Sequence, residues 1–130
     1  MDLGSKFMSQ RFVLTGPRIA EWVEYEHLIE TEKDIVCKTL CSAISSGTEL
    51  AAFQGAKSLS GGAIYPRVNG YMNVAEVLDV CDGVTTVQPG DVVLTFNCHE
   101  SHFVARDDAV LVKLDDRSKI KKFVFAYAYH

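Results

Sequence analysis

The feature that most constrains the fold of this chain is the close spacing of turn-forming residues between short runs rich in β-branched side chains. Gly16-Pro17, Asp82-Gly83 and Pro89-Gly90 are typical turn sequences, and each lies beside such a run. Many short strands separated by close turns indicate a small β-barrel or β-sandwich. The predicted strands cover residues 11–15, 19–25, 35–44, 73–80, 84–87, 92–96, 102–105 and 110–114.

Two further segments have helical patterns. Residues 48–54 predict a helix of one or two turns, and residues 55–62, which are rich in Ser and Gly, predict a loop. In the tail, Phe123, Ala126 and Tyr127 recur at helical spacing, and the opposite side of that helix is also apolar. We therefore predict a flexible leader over residues 1–10, one β-rich domain over 11–117 and a helical tail over 118–130.

Composition excludes several classes of function. With 130 residues and 48% hydrophobic side chains, the chain is long enough for one domain with a real core. A net charge of −4 gives no reason to expect nucleic acid as a partner. No apolar run approaches the ~20 residues that cross a bilayer, and the first ten residues lack the apolar segment of a signal peptide. We therefore expect a cytoplasmic protein without a membrane partner.

The cysteines support the same location. None of the four belongs to a Cys-x-x-Cys pair, so the spacing of a zinc ribbon is absent. Free thiols in a reducing compartment are the expectation for such a set. The cysteines are Cys37, Cys41, Cys81 and Cys98.

Three motifs in order carry a resemblance to a known family. They are Ser46-Gly47-Thr48-Glu49, the segment from Pro66 through Gly70 to Val77, and a turn that ends in Pro89-Gly90-Asp91-Val92-Val93. From Arg11 to its end, the chain resembles the N-terminal, GroES-like domain of medium-chain dehydrogenases/reductases, which include zinc alcohol dehydrogenases. Its Ser-Gly-Thr-Glu motif is most similar to the subgroup of bacteriochlorophyllide dehydrogenase-like proteins. The resemblance implies a mainly β fold, a GroES-like partly open β-barrel with short helices and a C-terminal helix.

The departures from the family pattern concern zinc. The resemblance implies a catalytic zinc ligand at the position of Ser46 and another at Tyr71, with Met72 where the family has Glu. Neither Ser nor Tyr is a usual zinc ligand at neutral pH. The family's four-cysteine structural lobe is also missing, because only Cys98 lies in the corresponding stretch. We therefore predict a zinc-independent chain with no metal site.

The resemblance nevertheless leaves candidate site residues at the first corner. It implies that Thr48 is a hydroxyl able to relay a proton, that Glu49 holds the site together by hydrogen bonds, and that Ser46 borders the substrate cleft. Tyr71 could donate a hydrogen bond to a substrate carbonyl. The alternative is purely structural: residues 46–48 cap the short helix, and Tyr71 packs in the mouth of the barrel.

A second candidate cluster is Asn97-Cys98-His99-Glu100-Ser101-His102. In a strand, residues 98, 100 and 102 share one face and His99 points to the other. Two interpretations stay open. The cluster could bind a metal through Cys98, His99 and His102, or His99 and His102 could form hydrogen bonds in the substrate cleft, where the resemblance places this segment; we favour the second.

A motif that the sequence lacks limits the functions we expect for this chain. It contains no Gly-x-Gly-x-x-Gly motif for a dinucleotide, so we expect no cofactor bound by this chain, and NAD(P) is implied only for a full-length relative. One hypothesis is a stand-alone or truncated substrate-side domain of an alcohol dehydrogenase-like oxidoreductase, inactive alone or paired with a separate nucleotide-binding chain. The alternative is a non-catalytic β module that binds a small molecule or a protein.

The apolar tail predicts association. The resemblance places the tail at the start of the helix that leads toward an absent nucleotide-binding domain, so residues 119–130 lack their usual covering. We predict a homodimer with this tail in or beside the interface. The alternative is that the tail folds back over its own barrel mouth.

Overall fold

The computed structural model describes residues 1–55, 64–120 and 122, which fold into two antiparallel sheets that do not close into a barrel. The three-stranded sheet has the order β2 (Ile19–Leu28), β1 (Lys6–Gly16) and β4 (Arg67–Val68). The five-stranded sheet has the order β7 (His102–Arg106), β3 (Asp34–Ser42), β5 (Asn73–Val80), β6 (Val92–Thr95) and β8 (Val110–Leu114). The mainly β, partly open architecture predicted from the sequence is confirmed.

Short helical segments connect the strands. Helix α1 (Thr48–Gln54) coincides with the helix predicted there, and it ends at Gly55, whose left-handed conformation is typical after a helix. Two single 3-10 turns cover Asp107–Ala109 and Arg117–Lys119. No described helix has the length and apolar character needed to cross a bilayer.

The core lies on both faces of the five-stranded sheet. All four residues of β6 are buried, and Val93 packs into one cluster while Val92 and Leu94 pack into another. Alternation along the strand sends neighbouring side chains to opposite faces, so a continuous apolar run is what burial on both faces requires. Phe103 is the largest fully buried side chain among the described residues.

Two predictions about the course of the chain are wrong. Residues 6–10, assigned above to a flexible leader, form the first half of β1, because β2 continues to Leu28 and pairs with them from Lys6 onward. Residues 84–87 form a connection and not a strand; burial of Val87 against the core explains the apolar pattern without a sheet partner. The predicted loop beyond Gly55 and the helical tail beyond Lys122 lie outside the described residues.

The segment 97–101 links the two sheets. It runs antiparallel to β1, where Arg11 and Glu100 form an isolated bridge. The Phe12 amide donates to the His99 carbonyl at 2.9 Å, and the Ser101 amide donates to the Gln10 carbonyl at 2.8 Å. Because side chains alternate along such a pairing, His99 and Glu100 point to opposite sides and belong to two different clusters.

Candidate functional site

A buried carboxylate and a buried imidazole meet at the start of helix α1. Oε1 of Glu49 lies 2.5 Å from Nε2 of His99, and their side chains are only 3% and 8% exposed. Glu49 is the second residue of the helix, after Gly47 at its N-cap, while His99 comes from the segment that pairs with β1. A hydrogen bond in such a low-dielectric setting is stronger than the same contact in water.

Other polar groups hold both members of this pair in place. The Ser45 amide donates to Oε2 of Glu49 at 2.5 Å, and the Ser42 hydroxyl lies 2.7 Å from Nδ1 of His99. The His99 amide donates to the Asn69 carbonyl at 2.9 Å. The four side-chain atoms able to hydrogen-bond in Glu49 and His99 are therefore all engaged, as buried polar groups require.

Gly70 gives the imidazole its space. This residue has φ +104°, a conformation that favours glycine, and a Cβ there would lie 2.7 Å from Cδ2 of His99. Real side-chain carbons do not come this close, so the ring occupies the volume that any other residue would fill. The glycine next to Asn69 thus serves both the turn and the approach of His99 to Glu49.

The Glu49–His99 pair borders a small apolar pocket of about 190 Å³. Glu49 and His99 are its ionisable groups, and the remaining lining is apolar apart from one amide residue. Pockets with apolar walls and a few polar groups are the usual form of small-molecule sites. The other lining residues are Phe12, Leu14, Ile44, Leu50, Phe53 and Asn69.

The remaining residues of the first predicted corner lie elsewhere. Ser46 and Thr48 are not buried, and Tyr71 is half-buried against the cluster that contains Met72. None of these three predicted residues lines the pocket. The helix has no side-chain cap, so the capping alternative is wrong, whereas the packing alternative for Tyr71 agrees with its contacts.

The second predicted cluster is divided between two faces. His102 contacts the ring of Phe7 edge-on at 5.5 Å, with its Nδ1 3.2 Å from the Ser101 hydroxyl, away from the pocket of His99. Sγ of Cys98 lies 3.6 Å from a Glu100 carboxylate oxygen. Within residues 1–55, 64–120 and 122, no three His, Cys, Asp or Glu side chains come together as a metal site.

Glu100 is the centre of a network that the sequence analysis did not identify. Its fully buried carboxylate contacts the Ser9 hydroxyl at 3.1 Å, Nε of Arg11 at 3.3 Å, Nε2 of His27 at 3.0 Å and Nδ2 of Asn97 at 2.8 Å. Burial alone would raise the pKa of Glu100, but the hydrogen bonds from His27, Asn97 and Arg11 outweigh it and lower the pKa to about 2. The only signal in the sequence was the alternation of residues 98–102.

Cys98 is unsuited to nucleophilic chemistry in this setting. Burial and then the Glu100 charge raise the pKa of its thiol to about 12, so the thiolate is scarce at neutral pH. Burial likewise raises the pKa of Cys37 to about 12. All four cysteines are free thiols.

Comparison with known proteins bears on the fold. No protein-family model matches the sequence, and no curated protein matches it. Solved structures do match. An enoyl thioester reductase from Candida tropicalis, in a mutant form, is 18% identical with a TM-score of 0.65, over 90% of this chain and 36% of that protein. A quinone oxidoreductase from Coxiella burnetii is 18% identical with a TM-score of 0.62, over 84% of this chain and 38% of that protein.

A third match is the human synaptic vesicle membrane protein VAT-1 homolog-like protein, 17% identical with a TM-score of 0.63, over 85% of this chain and 37% of that protein. The chain thus spans little more than a third of the length of these proteins. The fold expected from the sequence resemblance is confirmed: it is the fold of the N-terminal, GroES-like part of medium-chain dehydrogenases/reductases.

Proposed function

We propose that this chain forms the substrate-side, GroES-like part of a zinc-independent, alcohol dehydrogenase-like oxidoreductase that uses NAD(P). By itself the chain binds neither nucleotide nor zinc and transfers no hydride. The observation that carries the proposal is the Glu49–His99 pair beside an apolar pocket, in a fold shared with the GroES-like part of oxidoreductases.

The placement of the family's ligand positions supports zinc independence. Ser46 lies outside the pocket, Tyr71 packs against the core, and Met72 is buried among apolar side chains. The imidazole and the carboxylate that do meet, His99 and Glu49, are engaged with each other. Catalytic zinc needs three protein ligands and an open fourth position, and the residues around Ser46 and Tyr71 do not provide them.

The Glu49–His99 pair supplies chemistry that suits such an enzyme. When a carbonyl is reduced, hydride adds to its carbon and the oxygen becomes negatively charged. That oxygen must then gain a proton, and a positioned acid or imidazole accelerates this step. Oε1 of Glu49 and Nε2 of His99 lie 2.5 Å apart, so the pair places an acid–base couple at the edge of the pocket. Contacts with Ser42 and Ser45 fix the orientation of the pair.

The nucleotide would come from another part of the protein or from another chain. One matching structure contains NADP and crotonyl-CoA bound to Etr1p, of which this chain covers 37%. The 130 residues contain no glycine-rich phosphate-binding motif of their own. We also propose a cytoplasmic location, which the four free thiols support.

A chimera tests the proposal. The full chain is fused to the nucleotide-binding domain of a medium-chain reductase, and NADPH oxidation is followed with a quinone and with an aldehyde. We expect turnover that a chelator leaves unchanged and that Glu49→Gln lowers by roughly 100-fold, the lower end of general acid–base contributions. Glu21→Gln, an exposed position on β2, is the control.

Two results would overturn the proposal. One is a folded chimera that binds NADPH and whose activity the Glu49→Gln substitution leaves unchanged. The other is activity that disappears with the chelator and returns with zinc. A chimera that binds NADPH and reduces nothing would favour the second candidate function, a binding module without catalysis. That candidate is favoured by one observation: the two ionisable groups at the pocket, Glu49 and His99, are already hydrogen-bonded to each other, and most of the remaining lining is apolar.

A further inference from the structure

One polar side chain in the pocket lacks a partner among the described residues. Asn69 is only 7% exposed and lines the pocket beside Glu49 and His99. Its backbone carbonyl accepts the His99 amide, but within the described part of the chain its side-chain amide makes no hydrogen bond. The fully enclosed side-chain atoms without a partner in the described residues are Nε of Arg67 and Oδ1 of Asn73. The Asn69 amide is not among them, so it keeps access to open space and is free to hydrogen-bond a ligand in the pocket.

The walls of the pocket set the size and charge of that ligand. Phe12, Leu14 and Phe53 surround the space together with Leu50. The lining residues Ile44 and Leu50 are 66% and 45% exposed, so the pocket opens to solvent on their side. Its volume of about 190 Å³ is enough for one ring, since an enclosed cavity of ~150 Å³ holds benzene in an engineered protein. A charged ligand would lose its hydration against these walls, whereas a ring would gain by leaving water.

We propose that this pocket binds an uncharged, single-ring molecule that carries one carbonyl or hydroxyl oxygen. The Asn69 amide donates a hydrogen bond to that oxygen, and the ring lies among Phe12, Leu14 and Phe53. The carboxylate oxygens of Glu49 are already engaged by the Ser45 amide and by His99, which leaves Asn69 as the polar group that meets the ligand oxygen. The catalytic relevance of this ligand rests on the proposed function, since hydride transfer interconverts a carbonyl compound and an alcohol.

The test is a nuclear magnetic resonance titration of the full chain with benzaldehyde, benzyl alcohol and toluene, which share a ring and differ in the oxygen. We expect all three to shift the amide signals of Phe12, Asn69 and His99. The two oxygen-bearing ligands should bind three- to tenfold more tightly than toluene, the range of about one net hydrogen bond. Asn69→Leu should remove that preference and leave toluene binding within about twofold of the original.

Two other variants keep the inference falsifiable if Asn69→Leu fails to fold. Gln54→Leu removes an exposed amide on α1 outside the pocket and should change no affinity. Leu50→Trp changes a partly exposed side chain at the pocket and should weaken all three ligands by about tenfold or more, because the indole occupies the space of the ring.

The inference is overturned if toluene binds as tightly as benzaldehyde to the unmodified chain, or if the shifts map outside the pocket and survive Leu50→Trp. This experiment contains no nucleotide, so its outcome is separate from that of the chimera. If the ring compounds bind through Asn69 and the chimera is inactive, only the proposed function is contradicted. If the chimera is active and the ring compounds do not bind, only this inference is contradicted.

Discussion

His99 owes its position to the absence of a side chain at Gly70. The imidazole lies where the Cβ of any other residue would be, and there its Nε2 reaches Glu49. A substitution at Gly70 therefore has two separable costs, the strain of a positive φ and the displacement of the ring. Gly90 offers a comparison, because it has a similar φ of +96° with nothing near its hypothetical Cβ.

We predict that Gly70→Ala destabilises the protein more than Gly90→Ala does. Both variants should lose roughly 1–2 kcal/mol of unfolding free energy from backbone strain, and Gly70→Ala should lose about 1–3 kcal/mol more from overpacking. Urea denaturation measures both losses. In spectra of the folded variants, only Gly70→Ala should shift the ring signals of His99. Equal losses with an unmoved His99 would contradict this account of Gly70.

Single residues of the site were accessible to sequence analysis, but their contacts were not. Glu49 and His99 were both named as candidates, yet 50 positions separate them. Backbone hydrogen bonds of segment 97–101 to β1 and to Asn69 bring them together. Ser46, Thr48 and Tyr71 were named on the family pattern, and the structure places them outside the pocket. The role of Asn69 depends on a missing hydrogen bond, which leaves no trace in sequence.

At the scale of elements, the side chain of Glu100 connects segment 97–101 to β1 and β2 through hydrogen bonds. Arg11 comes from β1 and His27 from β2, and the guanidinium of Arg11 also lies 3.5 Å from the centre of the Tyr25 ring. The ionised carboxylate accepts these hydrogen bonds more strongly than the protonated carboxyl would, which is why they favour the ionised form. Since His99 precedes Glu100 on the same segment, this network also helps to hold the Glu49–His99 pair.

We predict an acid-dependent loss of stability that comes from Glu100. Its folded-state pKa of about 2 lies below the usual 4.5, so its contribution is fully present above pH 4.5 and is lost as the pH falls toward 2. At 1.36 kcal/mol per pKa unit, the contribution is roughly 3 kcal/mol. Unfolding free energies measured in urea between about pH 2 and pH 7 should show this decline in the unmodified chain.

Glu100→Gln should flatten that part of the pH profile. Glu26→Gln is the matched control, because Glu26 pairs with Lys6 at 3.3 Å on the surface, where ion pairs contribute at most about 1 kcal/mol. A pH profile that Glu100→Gln leaves as steep as before would contradict the assignment of the effect to Glu100.

The periodicity of the sequence predicted most of the strands, but it did not predict the β-bulges or the full length of the edge strand β2 and its partner β1. Cys37 and Cys41, four residues apart on β3, should share a face in a regular strand. One register shift lies between them, after Thr39, and it leaves Cys37 paired with Val77 and Cys41 paired with Val74. The two thiols therefore pack into different clusters. Residues 6–10 were missed as a strand because their mixed polar pattern gives no signal without the partner β2.

At the scale of the whole molecule, the open sheets leave surfaces that suit association. β2 is an edge strand of ten residues, and on it Trp22 is 60% exposed and Ile19 is 53% exposed. Edge strands with exposed apolar side chains tend to pair with another chain. We propose a homodimer in which residues 119–130 lie in or beside the interface.

Light scattering tests the dimer. The full chain should have twice the mass of one chain at micromolar concentration, and a version that ends at Arg117 should be a monomer, because the apolar tail no longer contributes. A monomeric mass for the full chain would contradict the dimer. An unchanged dimer after truncation would contradict the role of the tail and would favour an interface at β2.

We propose that this chain contributes the substrate side of an oxidoreductase and not the nucleotide side. The most direct measurement is a calorimetric titration of the full chain with NADPH and NADP. We predict no saturable heat for either nucleotide, because the sequence supplies no glycine-rich turn at a helix N-terminus to hold the phosphates. Micromolar binding of either nucleotide to the chain alone would contradict the account.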